Sequence, residues 1–345
     1  MSRKILFSVL LLFCVATFAS AAEQRCEFAM KNGTMCSGKI FTPDAADRHT
    51  MVVFVSSDGE NADRAIENHR HLLQSLTTAG FSCCFFDLRP PRYGTPAPAI
   101  NDMADDIIAV YNSLKNNDLY KNYKIGFYAK SNGVPPLIVA AAQLTDVAFI
   151  LMQKPAILPF DDTILLAFCT DMQYQSIFLS RQGLGISYFD LIRTCNYFIQ
   201  RIGTTDFNAD VEQYCQQMKG KTMQNPEQLK MMMWQMWGAM CNAKDLKNNQ
   251  LWSMTDCLAK ISCPILYVAQ SLDNQTRGSL NISKFEQTMF SLGKDNFSTI
   301  LLDSDFNNEL PNQMLQGFYA PAGESKIALC NNLILRWLNG KLGFE

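Results

Sequence analysis

Apolar and polar positions along this chain fall into two alternating rhythms. Cys26 to Pro43 reads as a hairpin turning at Asn32-Gly33. "TMVVFVSSDG" (Thr50–Gly59) is an unbroken apolar run ending in turn residues, as a strand buried on both faces requires. A helical pattern follows from about Ala65 to Ala79, closed by Gly80. "FSCCFFDL" is the next strand, stopped before Pro90-Pro91. Asn101 or Asp102 caps a helix whose apolar face is Met103, Ile107, Val110, Tyr111 and Leu114. The strand "KIGFYA", a turn at Ser131, a helix from Val134 and the strand "DVAFILMQ" complete the first part.

Strand, helix, strand with short connections predicts a mostly parallel sheet flanked by helices, an α/β class. The rhythm stops between about Ile157 and Lys260, a helical segment rich in Met, Gln and aromatic residues. It returns with "CPILYVAQSLD" (Cys263–Asp273), "FSTILLDSD" (Phe297–Asp305) and a last helix, "SKIALCNNLILRWLNG". The expected architecture is one α/β domain over residues 23–345 carrying an inserted helical cap at about 157–260. Within the cap, Glu227–Met240 presents a Met and Trp face, readable as core or as an apolar pocket roof.

Arg3 and Lys4, an apolar run from Ile5 to Phe18, and Ala19-Ser20-Ala21-Ala22 have the layout of a signal peptide over residues 1–22. The run falls short of the ~20 apolar residues of a membrane span. An exported protein, periplasmic or secreted, is therefore expected. Without Arg3 and Lys4 the balance is 28 basic against 32 acidic residues, which argues against nucleic acid as a partner. Export changes the reading of the 12 cysteines, because some should then form disulfides. Cys26/Cys36 and Cys257/Cys263 are near in sequence, although connectivity stays open. Cys83 and Cys84 are adjacent in a strand and point to opposite faces. No spacing forms a zinc cluster, and no cofactor is implied.

The candidate chemistry lies at Ala129-Lys130-Ser131-Asn132-Gly133. A serine between a buried strand and a helix holds its hydroxyl above the sheet edge. Small residues two before and two after it let the backbone pass close to its neighbours. The alternative is an ordinary turn.

With this placement the chain resembles the α/β-hydrolase family, in particular exported bacterial esterase-like hydrolases related to dienelactone hydrolase and prolyl-oligopeptidase catalytic domains. "VVFVSSDG", "AGFSCCFFDLR", "AKSNG", "CPILYVAQSLD" and "LILRWLNG" carry the resemblance, from Phe28 to Leu338. It implies an α/β-hydrolase fold with Ser131 in the nucleophile position. Asp273 then holds the acid position, where the residues alone suggest a turn cap. Backbone N–H groups of Asn132 and Asp58 would form the oxyanion hole. Asp87-Leu88-Arg89 would be structural.

The resemblance fails at the histidine. The family's loop after the last strand reads here "LLDSDFNNEL", with Asn307 in the histidine position and Phe306 the alternative. The three histidines, His49, His69 and His71, all precede Ser131. An asparagine cannot take the serine proton, so the expectation is a pseudohydrolase or very weak enzyme. The alternative is an active carboxylic-ester hydrolase using His69 or His71 as base. The implied partner is a small acyl or ester-type ligand, or an envelope protein.

Overall fold

The computed structural model describes residues 21–43, 47–56, 61–88, 100–155, 207–218, 254–270, 278–302 and 324–344. Eight strands form one sheet: β1 (Ala22–Ala29), β2 (Met35–Thr42), β3 (Thr50–Val55), β4 (Ser82–Phe86), β5 (Lys124–Lys130), β6 (Ile150–Gln153), β7 (Ile265–Gln270) and β8 (Phe297–Leu302). Their spatial order is β1-β2-β4-β3-β5-β6-β7-β8. β1 and β2 form the expected hairpin, with Gly33 at φ 81° accepting the turn that Asn32-Gly33 predicted. β2 joins β4 antiparallel, and every pairing from β4 through β8 is parallel.

β3, β4 and β7 are buried along their whole length, which is why they read as unbroken apolar runs. Alternate residues feed two cores. Met51, Val53, Phe127 and Tyr267 face one, beneath helices α3 (Ile100–Asn116), α4 (Val134–Ala141), α6 (Met254–Lys260) and α7 (Gly278–Ser291). Val52, Phe54, Tyr128 and Val268 face the other, beneath α1 (Ala62–Asn68), α2 (Arg70–Thr78) and α8 (Glu324–Leu342). The predicted face of α3 is buried at all five positions. On α8, Cys330, Ile334 and Leu338 repeat every four residues and are buried together.

The helix expected over 65–79 is broken at His69, whose φ and ψ are -119° and 16°. No Gly or Pro marks the break. The imidazole packs on Phe54 and Tyr128, with centroids 5.7 and 5.1 Å away, and tertiary burial overrides helical geometry there. Gly80, at φ 87°, closes α2 as predicted, with Phe81 N donating to Leu76 O.

Of the stretch expected as a cap, two helices are described, α5 (Phe207–Met218) and α6, and the Met and Trp face at 227–240 lies outside the described residues. Leu258 of α6 is fully buried in the core shared with α4.

The eight described cysteines are all free thiols, which corrects the disulfide expectation at both sequence-near pairs. Strand register explains Cys26 and Cys36. Cys26 stands opposite Gly38 and Cys36 opposite Phe28, so the two cysteines are diagonal. Diagonal residues are ~7–8 Å apart, beyond the reach of a disulfide. The Cys36 thiol instead donates to the Asp87 carbonyl, 2.8 Å away. Burial raises the thiols of Cys26 to about 11 and Cys36 to about 12. Cys83 and Cys84 do face opposite cores. Residues 1–20 lie outside the described residues; among those described, no helix is long and apolar enough to cross a membrane.

Candidate active site

β5 ends at Lys130 in extended geometry, and Ser131 then turns sharply to φ 50°. The left-handed region costs a side-chain-bearing residue ~1–2 kcal/mol. A single turn of 3₁₀ helix, Ser131–Gly133, leads into α4, where Pro135 occupies a first-turn position that lacks an N–H partner anyway. The strain lies where the buried strand must become a buried helix within three residues. Ser131 is half-buried and Asn132 exposed. Among the described residues no side-chain hydrogen bond engages the Ser131 hydroxyl.

Gly133 is needed for space. Its φ of -73° suits any residue, but a Cβ there would lie 2.8 Å from Val55 O and 3.0 Å from Ser56 O. The end of β3 therefore presses directly on the turn after Ser131. Ala129, fully buried, meets the matching demand for a small residue.

Past β3, Ser56 is 3% exposed and its hydroxyl has no hydrogen-bond partner. Asp58 lies outside the described residues. The segment containing it ends at α1, whose start is fixed twice. Asn61 Oδ1 accepts from Arg64 N at 2.9 Å, and Asp87 Oδ1 accepts from Ala62 N at 2.7 Å. The structural role expected of Asp87 thus has a specific bond behind it.

Asp273 and Asn307 also lie outside the described residues. Their strands end side by side: Gln270 closes β7 in register with Leu302, which closes β8. β7 and β8 thus end on the edge where β5 delivers Ser131. Two further features of this edge have no counterpart among the residues singled out from the sequence. Lys154, next after β6, has φ 47°, and Gln270 is 2% exposed with neither carboxamide atom hydrogen-bonded. A glutamine ending an apolar run looks like a strand terminus, and only the packing of Gly278 onto its backbone shows how deeply it is buried.

The imidazoles do not converge on Ser131. His49 precedes β3, and its carbonyl accepts from Lys124 N at the start of β5. That is the opposite edge of the sheet, ~20 Å from Ser131 along β5. His71 lies on α2, with Arg70 Nε 3.4 Å from its Nε2. His69 is nearest in the fold, since Tyr128 on β5 holds its ring. Burial, aided by the Lys130 charge, lowers its pKa to about 3, so the ring is neutral near pH 7 but a poor proton acceptor. No hydrogen bond joins it to Ser131.

No family model matches this sequence, and no curated protein matches it in sequence. Solved structures do match in shape. Dienelactone hydrolase from Anabaena variabilis is 12% identical, with 92% of this chain and 97% of that one covered at a TM-score of 0.50. An esterase from Pyrococcus furiosus is 13% identical, with 92% and 90% covered at 0.53. The alpha/beta hydrolase GrgF from Penicillium is 14% identical, with 94% and 100% covered at 0.55. Likeness at such identities shows a common fold, and it is the one the sequence resemblance implied.

Proposed function

We propose that this chain, whose fold is that of the α/β hydrolases, is an exported esterase-like pseudohydrolase that binds a small acyl or ester-type ligand. Ser131 takes the nucleophile position, Asp273 the acid position and Asn307 the place of the missing histidine. Asn132 and Asp58 line the oxyanion side. One observation carries this reading: a strained serine at the sheet edge has no imidazole able to activate it. His49 is at the far edge, His71 is on the outer helix, and His69 is sealed against Phe54 and Tyr128.

The chemistry follows from that gap. An unactivated hydroxyl attacks esters slowly, because its proton has no acceptor as the new bond forms. In a serine protease such as subtilisin, losing the histidine costs ~10⁶ in turnover, leaving ~10³–10⁴ from binding and the oxyanion hole.

The test is fluorophosphonate labelling of the purified chain together with a short-chain acyl ester assay. Little or no labelling and no turnover are expected, with Asn307→His raising both. Turnover in the unmodified chain that disappears in Ser131→Ala would sink the proposal and favour a substitute base.

A further inference from the structure

The triplet Asn-x-Ser/Thr, the acceptor pattern for N-linked glycans in secreted chains, occurs four times: Asn32-Gly33-Thr34, Asn274-Gln275-Thr276, Asn281-Ile282-Ser283 and Asn296-Phe297-Ser298. The pattern alone is common, and the structure separates its copies. Asn281, on α7, is fully buried. Asn296 commits its amide to the fold, with Nδ2 donating to Cys263 O at 2.6 Å and Ile261 O at 3.4 Å, while its Oδ1 is buried. A sugar on either nitrogen has no room in the packed protein. Asn274 lies outside the described residues.

Asn32 differs on every count. It stands at the tip of the β1–β2 hairpin, where Lys31 to Met35 are all exposed. Backbone bonds fix the turn, Met30 N donating to Thr34 O at 2.8 Å and Gly33 N to Met30 O at 2.9 Å. Asn32 Oδ1 accepts from Thr34 N at 3.1 Å and from Thr34 Oγ1 at 2.7 Å. A backbone N–H can only donate, so this bond fixes which end of the carboxamide faces the turn. The amide nitrogen is left on the other side, with no acceptor among the described residues. Space is open beside it, since a Cβ built on Gly33 would meet no atom within 4 Å. The reacting nitrogen and the hydroxyl of the triplet are thus displayed together on an unobstructed turn.

We propose that Asn32 is an acceptor site for an N-linked oligosaccharide. The co-reactant is an oligosaccharide carried on a lipid pyrophosphate. The Asn32 amide nitrogen bonds to the anomeric carbon as the C–O bond to pyrophosphate breaks. The nitrogen gives up one proton, and the lipid pyrophosphate leaves. β2 begins beside the end of β4, so the glycan stands at the sheet end where β5 delivers Ser131, three strand spacings or ~14 Å across the sheet. This assignment rests on the export proposed above, and not on the chemistry of Ser131.

The test is secretion of the full chain, with its own leader, from a cell that carries oligosaccharyl transferase. The secreted protein is digested with peptide-N-glycanase in heavy-oxygen water and mapped by mass spectrometry. Loss of one oligosaccharide is expected, with Asn32 converted to aspartate carrying the heavy oxygen. Asn32→Asp keeps the turn acceptor and Thr34→Ala keeps the backbone bond; both should lose the glycan, and Thr34→Ser should retain it. Secreted protein with a bare Asn32 overturns the site. So does aspartate at that position without heavy oxygen, the mark of spontaneous deamidation at Asn-Gly. A glycan on Asn281 or Asn296 in the same folded protein would overturn the selection by burial. If the chain stays in the cell with residues 1–22 attached, the export reading fails, and the same chain behind an established secretory leader decides the site alone. A glycan on Asn32 then upholds it, and a bare Asn32 overturns it.

Discussion

Gly133 sits so close to Val55 that a methyl group on its Cα would be 2.8 Å from the Val55 carbonyl oxygen. Backbone, not a yielding side chain, occupies that space. Gly133→Ala is therefore expected to destabilise the protein by about 1–3 kcal/mol, in the range of overpacked cores. Urea unfolding measures this directly. A variant as stable as the parent would mean that β3 and the turn can separate at little cost.

Ser131 permits a comparison that separates backbone from hydroxyl. Ser131→Gly and Ser131→Ala both delete the oxygen, but only glycine relieves φ 50°. The glycine variant should be the more stable by about 1 kcal/mol, and neither should label with a fluorophosphonate. An alanine variant equal in stability would contradict the left-handed geometry.

His69 links burial to acid sensitivity. Its pKa falls from 6.5 to about 3 on folding, mainly through burial. Below about pH 6.5 the unfolded chain takes up a proton that the folded chain refuses. This contribution to stability is complete above that pH and is lost as the pH falls toward 3. From about pH 7.5 to about pH 5 the loss amounts to about 2 kcal/mol. His69→Leu should lack this component, and identical pH dependence in the two proteins would rule it out.

Cys26 and Cys36 should be recovered as thiols. Peptide mapping after alkylation under denaturing conditions would find both modified, whereas alkylation of the native protein near pH 8 should be slow, because both thiols are raised to about 11 or above. A Cys26–Cys36 disulfide-linked peptide would require a register other than Cys26 opposite Gly38.

Loss of the cap at α1 is a milder test of the segment before it. Asp87→Ala removes the acceptor for Ala62 N and should cost about 1 kcal/mol, with Asp87→Asn restoring most of it. Equal losses in the two variants would assign the effect to charge instead of capping.

These residues also show what the sequence could and could not convey. The strand before Ser131 and the helix after it were legible, because an apolar run met Ser-Asn-Gly and then Val-Pro-Pro. So was the α3 face, since helical spacing repeats from Met103 to Leu114, about three turns. The break at His69 was not, because its cause is a ring stack with strands β3 and β5. Cys26 and Cys36 misled because ten residues of separation carry no information about which residues face each other across a hairpin. The burial of Gln270 depends on a helix start eight residues later folding back onto it. Local pattern records the period of an element, and these features all come from its neighbours.

β6 and β7 lie side by side although more than a hundred residues of sequence separate Gln153 from Ile265. Loop-closure entropy grows only logarithmically, so each halving of that stretch would return about 0.6 kcal/mol. The sheet is thus nearly indifferent to how much chain is spliced in at this seam. In evolutionary terms the seam is a port, where chain can be lengthened or replaced while the strands that carry Ser131 stay in place.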